Sequence, residues 1–192
     1  QTSLYLTVFS AFYILFKLLT TKAWKIFFIV SAFFAFGILI SLFQVIPTSE
    51  LYQQSVRSGL VYKDGQIPLN YLATIFAPDF FGNPVTRNDW FGFYAEWASF
   101  IGIIPLVLSF FAFIKFRKIH VYFFSTIGIL ALLFSSDTIF RQILLSSNLP
   151  VFATSIPSRM IVLFSFSFAV LSGFGLDNLF QLIKQNSKKQ IF

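Results

Sequence analysis

Ile26-Phe-Phe-Ile-Val-Ser-Ala-Phe-Phe-Ala-Phe-Gly-Ile-Leu-Ile-Ser-Leu-Phe-Gln-Val-Ile46 runs for 21 residues without a charge and stops at Pro47. About 20 consecutive apolar residues are what a helix needs to cross the hydrocarbon core of a bilayer. Similar runs recur at Leu4–Leu19, Ala98–Ile114, Val121–Ser135 and Met160–Leu176. Pro105 falls inside the third, where a kink is expected because proline removes a backbone donor. Pro157 suits the first turn of the fifth. The expected fold is all-α, a polytopic helical membrane protein of about five transmembrane helices forming a single portion over residues 1–192.

Composition points the same way. Hydrophobic residues make up 57% of the chain, charged residues 11%, and the mean hydropathy is +0.79. A soluble domain carries about 25% charged residues, so this chain lacks the polar surface to cover a globule. There is no cysteine, which removes disulfide and thiol chemistry. The 30 phenylalanines read as lipid-facing bulk. The chain opens on Gln1 without a signal-peptide pattern, and is expected to be an internal fragment of a longer protein.

The charges sort by face. Lys17, Lys22, Lys25, Lys115, Arg117, Lys118, Lys184, Lys188 and Lys189 fall with His120 and the acid Asp177 on one side of a five-span thread. Arg57, Lys63, Arg87, Arg141 and Arg159 fall on the other with Glu50, Asp64, Asp79, Asp89, Glu96 and Asp137. The positive-inside rule makes the first side cytoplasmic. The net charge of +7 is thereby explained by topology, and nucleic acid is not an expected partner. Two long connections, 48–97 and 136–157, lie outside. Ile67–Phe76 within the first is apolar but too short to span, which suits an interfacial or re-entrant helix.

Ala77–Trp97 gathers Asp79, Arg87, Asp89 and Glu96 beside two prolines, two asparagines and two tryptophans. Glu96, next to the re-entry point, reads either as a contact for a sugar hydroxyl, metal or arginine, or as an exposed acid beside an interfacial tryptophan. Asp79, Asn88 and Asp89 read as members of a polar cluster or as ordinary turn residues. Their spacing matches no fixed metal motif, so no cofactor is expected, although oxygen ligands for a divalent cation are present. Arg159 stands at the mouth of the fifth span, where its planar fork suits phosphate; a salt bridge to Glu96 or Asp137, or headgroup contact, is the other reading. Arg57 and Arg87 are weaker candidates for the same role. The single His120 has no Cys or carboxylate neighbours suited to zinc, and no nucleotide-binding loop appears.

Three stretches carry a family resemblance: Pro47-Thr-Ser-Glu-Leu51 with Ser55-Val-Arg-Ser-Gly59; Pro78-Asp-Phe-Phe-Gly-Asn-Pro84 running on to Tyr94-Ala-Glu-Trp97 and Ile101-Gly-Ile-Ile-Pro-Leu106; and Pro157-Ser-Arg159 with Gly173-Phe-Gly-Leu-Asp177. Together they resemble the bacterial YfhO-type membrane proteins of the GT-C glycosyltransferase class. The resemblance implies a multi-pass protein of the bacterial cytoplasmic (inner) membrane that transfers sugar from a polyprenyl-phosphate donor to an extracytoplasmic cell-envelope acceptor. It implies a catalytic acid upstream of Gln1. The substrate-binding set on this chain would be Arg159, Glu96, Asp89, Trp97, Arg57 and Asp79, with membrane lipid as surroundings and Trp90 as a further sugar platform. The competing readings are a transporter or flippase for a lipid-linked or polar substrate, and a non-catalytic membrane scaffold.

Overall fold

The computed structural model describes residues 2–55, 65–85, 93–115, 118–146 and 156–189. Among them every regular element is a helix: α1 Thr2–Thr21, α2 Trp24–Gln53, α3 Tyr94–Trp97, α4 Ile103–Lys115, α5 Ile119–Ser135, α6 Ile139–Ser146 and α7 Ile161–Lys189. Two 3₁₀ segments, Leu69–Ile75 and Pro157–Met160, join them. Three helical stretches are long and apolar enough to cross a membrane, Thr2–Thr21, Trp24–Gln53 and Pro157–Gln185, while α4 and α5 are apolar but shorter. The chain divides into two compact units: Gln1–Tyr62 with Ala153–Ser155, and Lys63–Phe152 with Ile156–Phe192.

In the first unit α1 and α2 form a helical hairpin. Lys22, at φ 52°, ends α1 in the left-handed region, and its N–H donates to the Leu18 carbonyl at 2.8 Å. α2 contains no buried residue, and Phe33 and Phe43 are exposed along it. Such an oily, unburied surface belongs in lipid rather than water. The sequence expects the second run to end at Pro47, but α2 continues through that proline to Gln53. Proline removes the bond its own N–H would have made to the Phe43 carbonyl and crowds that carbonyl, yet α2 carries it before its last residues. Thr48 Oγ1 and Ser49 Oγ donate to the carbonyls of Gln44 and Ile46 at 2.7 Å each, satisfying polar groups beside the break.

The second unit is built on α7, which packs against both α4 and α5. The buried faces mix large and small residues: Leu106, Ser109 and Ala112 on α4, Val121, Phe124, Ser125, Gly128 and Ala131 on α5, and Leu163, Phe164, Ser167 and Leu171 on α7. Small residues let helix backbones approach closely in a membrane, where dispersion rather than water exclusion drives association. Gly175 marks the tightest point, where an added Cβ would run into the backbone carbonyl of Leu108. A Cβ on Gly128 would meet the Phe168 ring at 3.0 Å.

Two sequence expectations change here. The third run does not start a helix at Ala98; α4 begins at Ile103, after Gly102 at φ 95°. Pro105 therefore sits in the first turn, where its missing N–H interrupts no helical bond, and no kink arises there. The fifth run does not stop at Leu176, where its apolar stretch meets Asp177; the helix continues through that residue to Lys189. The side chains of Gln181 and Asp177 pair one turn apart at 3.0 Å, beyond that expected end. The segment expected as an interfacial or re-entrant helix does carry a short helix, the 3₁₀ segment Leu69–Ile75, with Tyr71, Thr74 and Ile75 buried.

That element is clamped by a parallel bridge between Ile67 and Ser136. Ile67 N–H donates to the Ser135 carbonyl and Asp137 N–H to the Ile67 carbonyl, both at 2.9 Å. The loop is thus fixed to the end of α5, and Ile67, Tyr71 and Trp97 form a buried cluster with Leu72, Phe81 and Ile161 against it.

Gly173 and Gly175 make a controlled comparison. Nothing lies within 4 Å of a Cβ at Gly173, so Gly173→Ala should leave the thermal midpoint unchanged or raise it slightly through helix propensity. Gly175→Ala should destabilise by about 1–3 kcal/mol through overpacking, read as a lower midpoint in detergent.

Candidate functional site

Three of the polar residues singled out by the sequence, Asp79, Glu96 and Arg159, meet at α3, a single turn held from two directions. Consecutive helical residues are about 100° apart, so Tyr94 and Glu96 project to roughly opposite sides of it. Each is anchored to a different part of the loop system.

Glu96 reaches the head of α7. Its Oε1 accepts a 2.9 Å bond from Arg159 Nη2. Arg159 is placed there by the Pro157–Met160 turn, in which proline occupies the first position. The pair is part-exposed, with the arginine and glutamate side chains 39% and 36% accessible. A pair so placed is screened and weak as a structural clamp, but open to a competing ligand. Of the two partners the sequence offers Arg159, Glu96 is the one that meets it; Asp137 Oδ1 instead accepts from Gln66 Nε2 at 3.4 Å.

Tyr94 reaches the Pro78–Gly82 turn. Its hydroxyl donates to Asp79 Oδ1 at 2.5 Å, and Asn83 Nδ2 donates to Asp79 Oδ2 at 3.2 Å. Asn83 Oδ1 in turn accepts the Val85 N–H at 3.0 Å. Asp79 therefore organises a turn and ties it to α3. The Tyr94 hydroxyl is pushed above its ordinary value of 10.0, first by its hydrogen bond to Asp79, then by burial, then by the negative charge of Asp79 and by Tyr71. Tyr71 is also raised, first by burial and then by Asp79.

Trp97 is 8% exposed and lies edge-on to Tyr71 and Phe93, at 5.2 and 5.6 Å between ring centroids. It anchors Glu96 from below and presents no open face for stacking a sugar. Its Nε1 is buried without a hydrogen-bond partner, as is the Oγ of Ser158. These two residues adjoin Glu96 and Arg159 in the chain. Arg57, Arg87, Asn88, Asp89 and Trp90 lie outside the described residues.

Sequence reasoning missed Tyr94 and Ser158 as participants. Both stand inside quoted elements, Tyr94-Ala-Glu-Trp97 and Pro157-Ser-Arg159, and the helical spacing of the first was the available signal. Arg141, 2% exposed on α6, had no signal beyond its charge. Among the described residues no group of three or more His, Cys, Asp or Glu side chains assembles as a metal site. Comparison with family models, curated proteins and solved structures finds no match to this chain.

Because the folded protein holds the Tyr94 proton more tightly than the unfolded chain, that contribution is present below pH 10 and is lost as pH rises through the folded value. An ultraviolet difference titration between the protein and Tyr94→Phe should show Tyr94 ionising above pH 10. Asp79→Asn should bring that step back toward the ordinary value.

Proposed function

We propose that this chain is a portion of a membrane-embedded GT-C-type glycosyltransferase, moving a sugar from a polyprenyl-phosphate donor to an extracytoplasmic cell-envelope acceptor in the bacterial inner membrane. The observation that carries the reading is the part-exposed Arg159–Glu96 pair at the head of a membrane-length helix. A guanidinium at that depth is suited to a phosphate whose hydrocarbon tail lies in the bilayer. In this reading α4 and α5 complete five crossings with α1, α2 and α7, and the basic connections face the cytoplasm.

The chemistry then follows from charge. In such a transfer a carboxylate takes the proton of the acceptor hydroxyl, and the acceptor oxygen bonds to the anomeric carbon with inversion. The bond from that carbon to the phosphate oxygen breaks, and its electron pair leaves with the polyprenyl phosphate. Arg159 stabilises the charge that develops on that leaving oxygen. Phosphate competes with Glu96 for the guanidinium, and a displaced Glu96 becomes an acceptor for a sugar hydroxyl. Asp79 acts through Tyr94 as a positioning residue for α3. Arg57 and Asp89 are further candidate contacts on the same outer loop.

The test is transfer of label from a polyprenyl-phospho-sugar by the full-length protein. Loss of one charge-assisted hydrogen bond is worth about 1.5–3 kcal/mol, so Arg159→Ala and Glu96→Gln should each lower the rate by roughly 10- to 100-fold. Undiminished transfer by both variants overturns the site. Substrate movement across proteoliposomes without product formation would assign the protein to transport instead, and neither activity would leave the scaffold reading.

A further inference from the structure

The turn of the α1–α2 hairpin carries a second feature, separate from the ion pair. A groove of about 390 Å³ opens between the two helices there. Its walls are apolar, from Ile14 and Leu18 on α1 and Ile26, Phe27 and Val30 on α2. Lys17 lines the same groove, its Nζ 5.8 Å from the centre of the Tyr13 ring. Lys22, in the turn between the groove-lining Thr21 and Ala23, and Lys25, in the first turn of α2, are both exposed.

We propose that this groove binds an anionic phospholipid, with a fatty chain between the helices and the phosphate at Lys17, Lys22 and Lys25. Three observations choose this occupant. First, the groove meets the membrane boundary. α1 has 20 residues, about 30 Å, the thickness of a bilayer's hydrocarbon core. Trp24, exposed at the turn and edge-on to Phe27, is the residue type that favours the headgroup level.

Second, the charge at this end is of one sign. Glu50 is the single acid in residues 1–62, and it lies 26 residues along the chain from Trp24, about 39 Å in helical rise. Basic residues near a bilayer surface attract anionic lipid, and long lysine stems reach the headgroups while lying along apolar surface. Third, α2 starts at Trp24, and Ala23 before it offers no side-chain cap. The Trp24 N–H donates to the Lys22 carbonyl at 3.0 Å, and the positive end of the helix dipole adds to the same field. A free phosphate would use the charges but not the apolar walls, and a neutral lipid would use the walls but not the charges.

The experiment is native mass spectrometry of the full chain released from neutral detergent, with phosphatidylglycerol or phosphatidylcholine of matched chains added. Phosphatidylglycerol should be retained about fivefold or more over phosphatidylcholine. The combined Lys17→Gln, Lys22→Gln and Lys25→Gln variant should lose that preference, whereas Lys115→Gln with Lys118→Gln should keep it. Val30→Trp, which fills the groove and leaves the lysines in place, should lower retention of both lipids. Glycerol 3-phosphate, which has no chain, should not be retained. Equal retention of the two lipids overturns the proposal, as does a preference that survives removal of the three lysines or retention of glycerol 3-phosphate. A doubled mass with neither lipid bound would give the groove to a second copy. Helical circular dichroism of each variant shows that a lost preference is not lost folding.

Discussion

The approach of α7 to the backbone of α4 is the constraint on which the second unit rests. At Gly175 the two helices are so close that no Cβ fits beneath the Leu108 carbonyl. Serine, alanine and glycine are among the residues buried on α5. Helices in lipid gain little from hiding apolar surface, since the surroundings are equally apolar; they gain from dispersion at short range. Such packing fixes the line of α7, and with it the position of the turn that carries Arg159.

The loops depend on the same frame. The Ile67 bridge fixes the start of the long connection to the end of α5, and the Tyr71–Trp97 cluster seats its far end beside Ile161, the first residue of α7. α3 is left as a short strut whose two polar side chains reach outward, Tyr94 to Asp79 and Glu96 to Arg159. The aromatic residues supply the rigid floor, and the charges are the part of the assembly that a ligand is able to exchange with.

Much of this was legible in the residues and some was not. Long apolar runs announce helices because the backbone has no other way to satisfy its polar groups in hydrocarbon, and α1, α5 and the apolar core of α7 follow from that. Pro47 and Pro105 misled in opposite directions. One is carried within a helix because lipid offers no water to a broken end; the other starts a helix that a hydropathy run places five residues too early. The Arg159–Glu96 pairing was one of two matches that sequence allows. Choosing between them needed the fold, since Asp137 is drawn to the Ile67 bridge instead. Trp97 reads in the sequence as an interfacial residue or a sugar contact; the packing of Tyr71 and Phe93 against it buries it instead.

The claim that the head of α7 receives a lipid phosphate is tested most directly by binding, apart from turnover. The full-length protein would be titrated with a short-chain isoprenyl phosphate and with the isoprenyl alcohol of the same length. The account predicts phosphate binding at least about tenfold tighter than the alcohol, a difference of roughly 1.4 kcal/mol, and no discrimination after Arg159→Ala. Equal affinity for the two ligands, or discrimination that survives loss of the guanidinium, would contradict it.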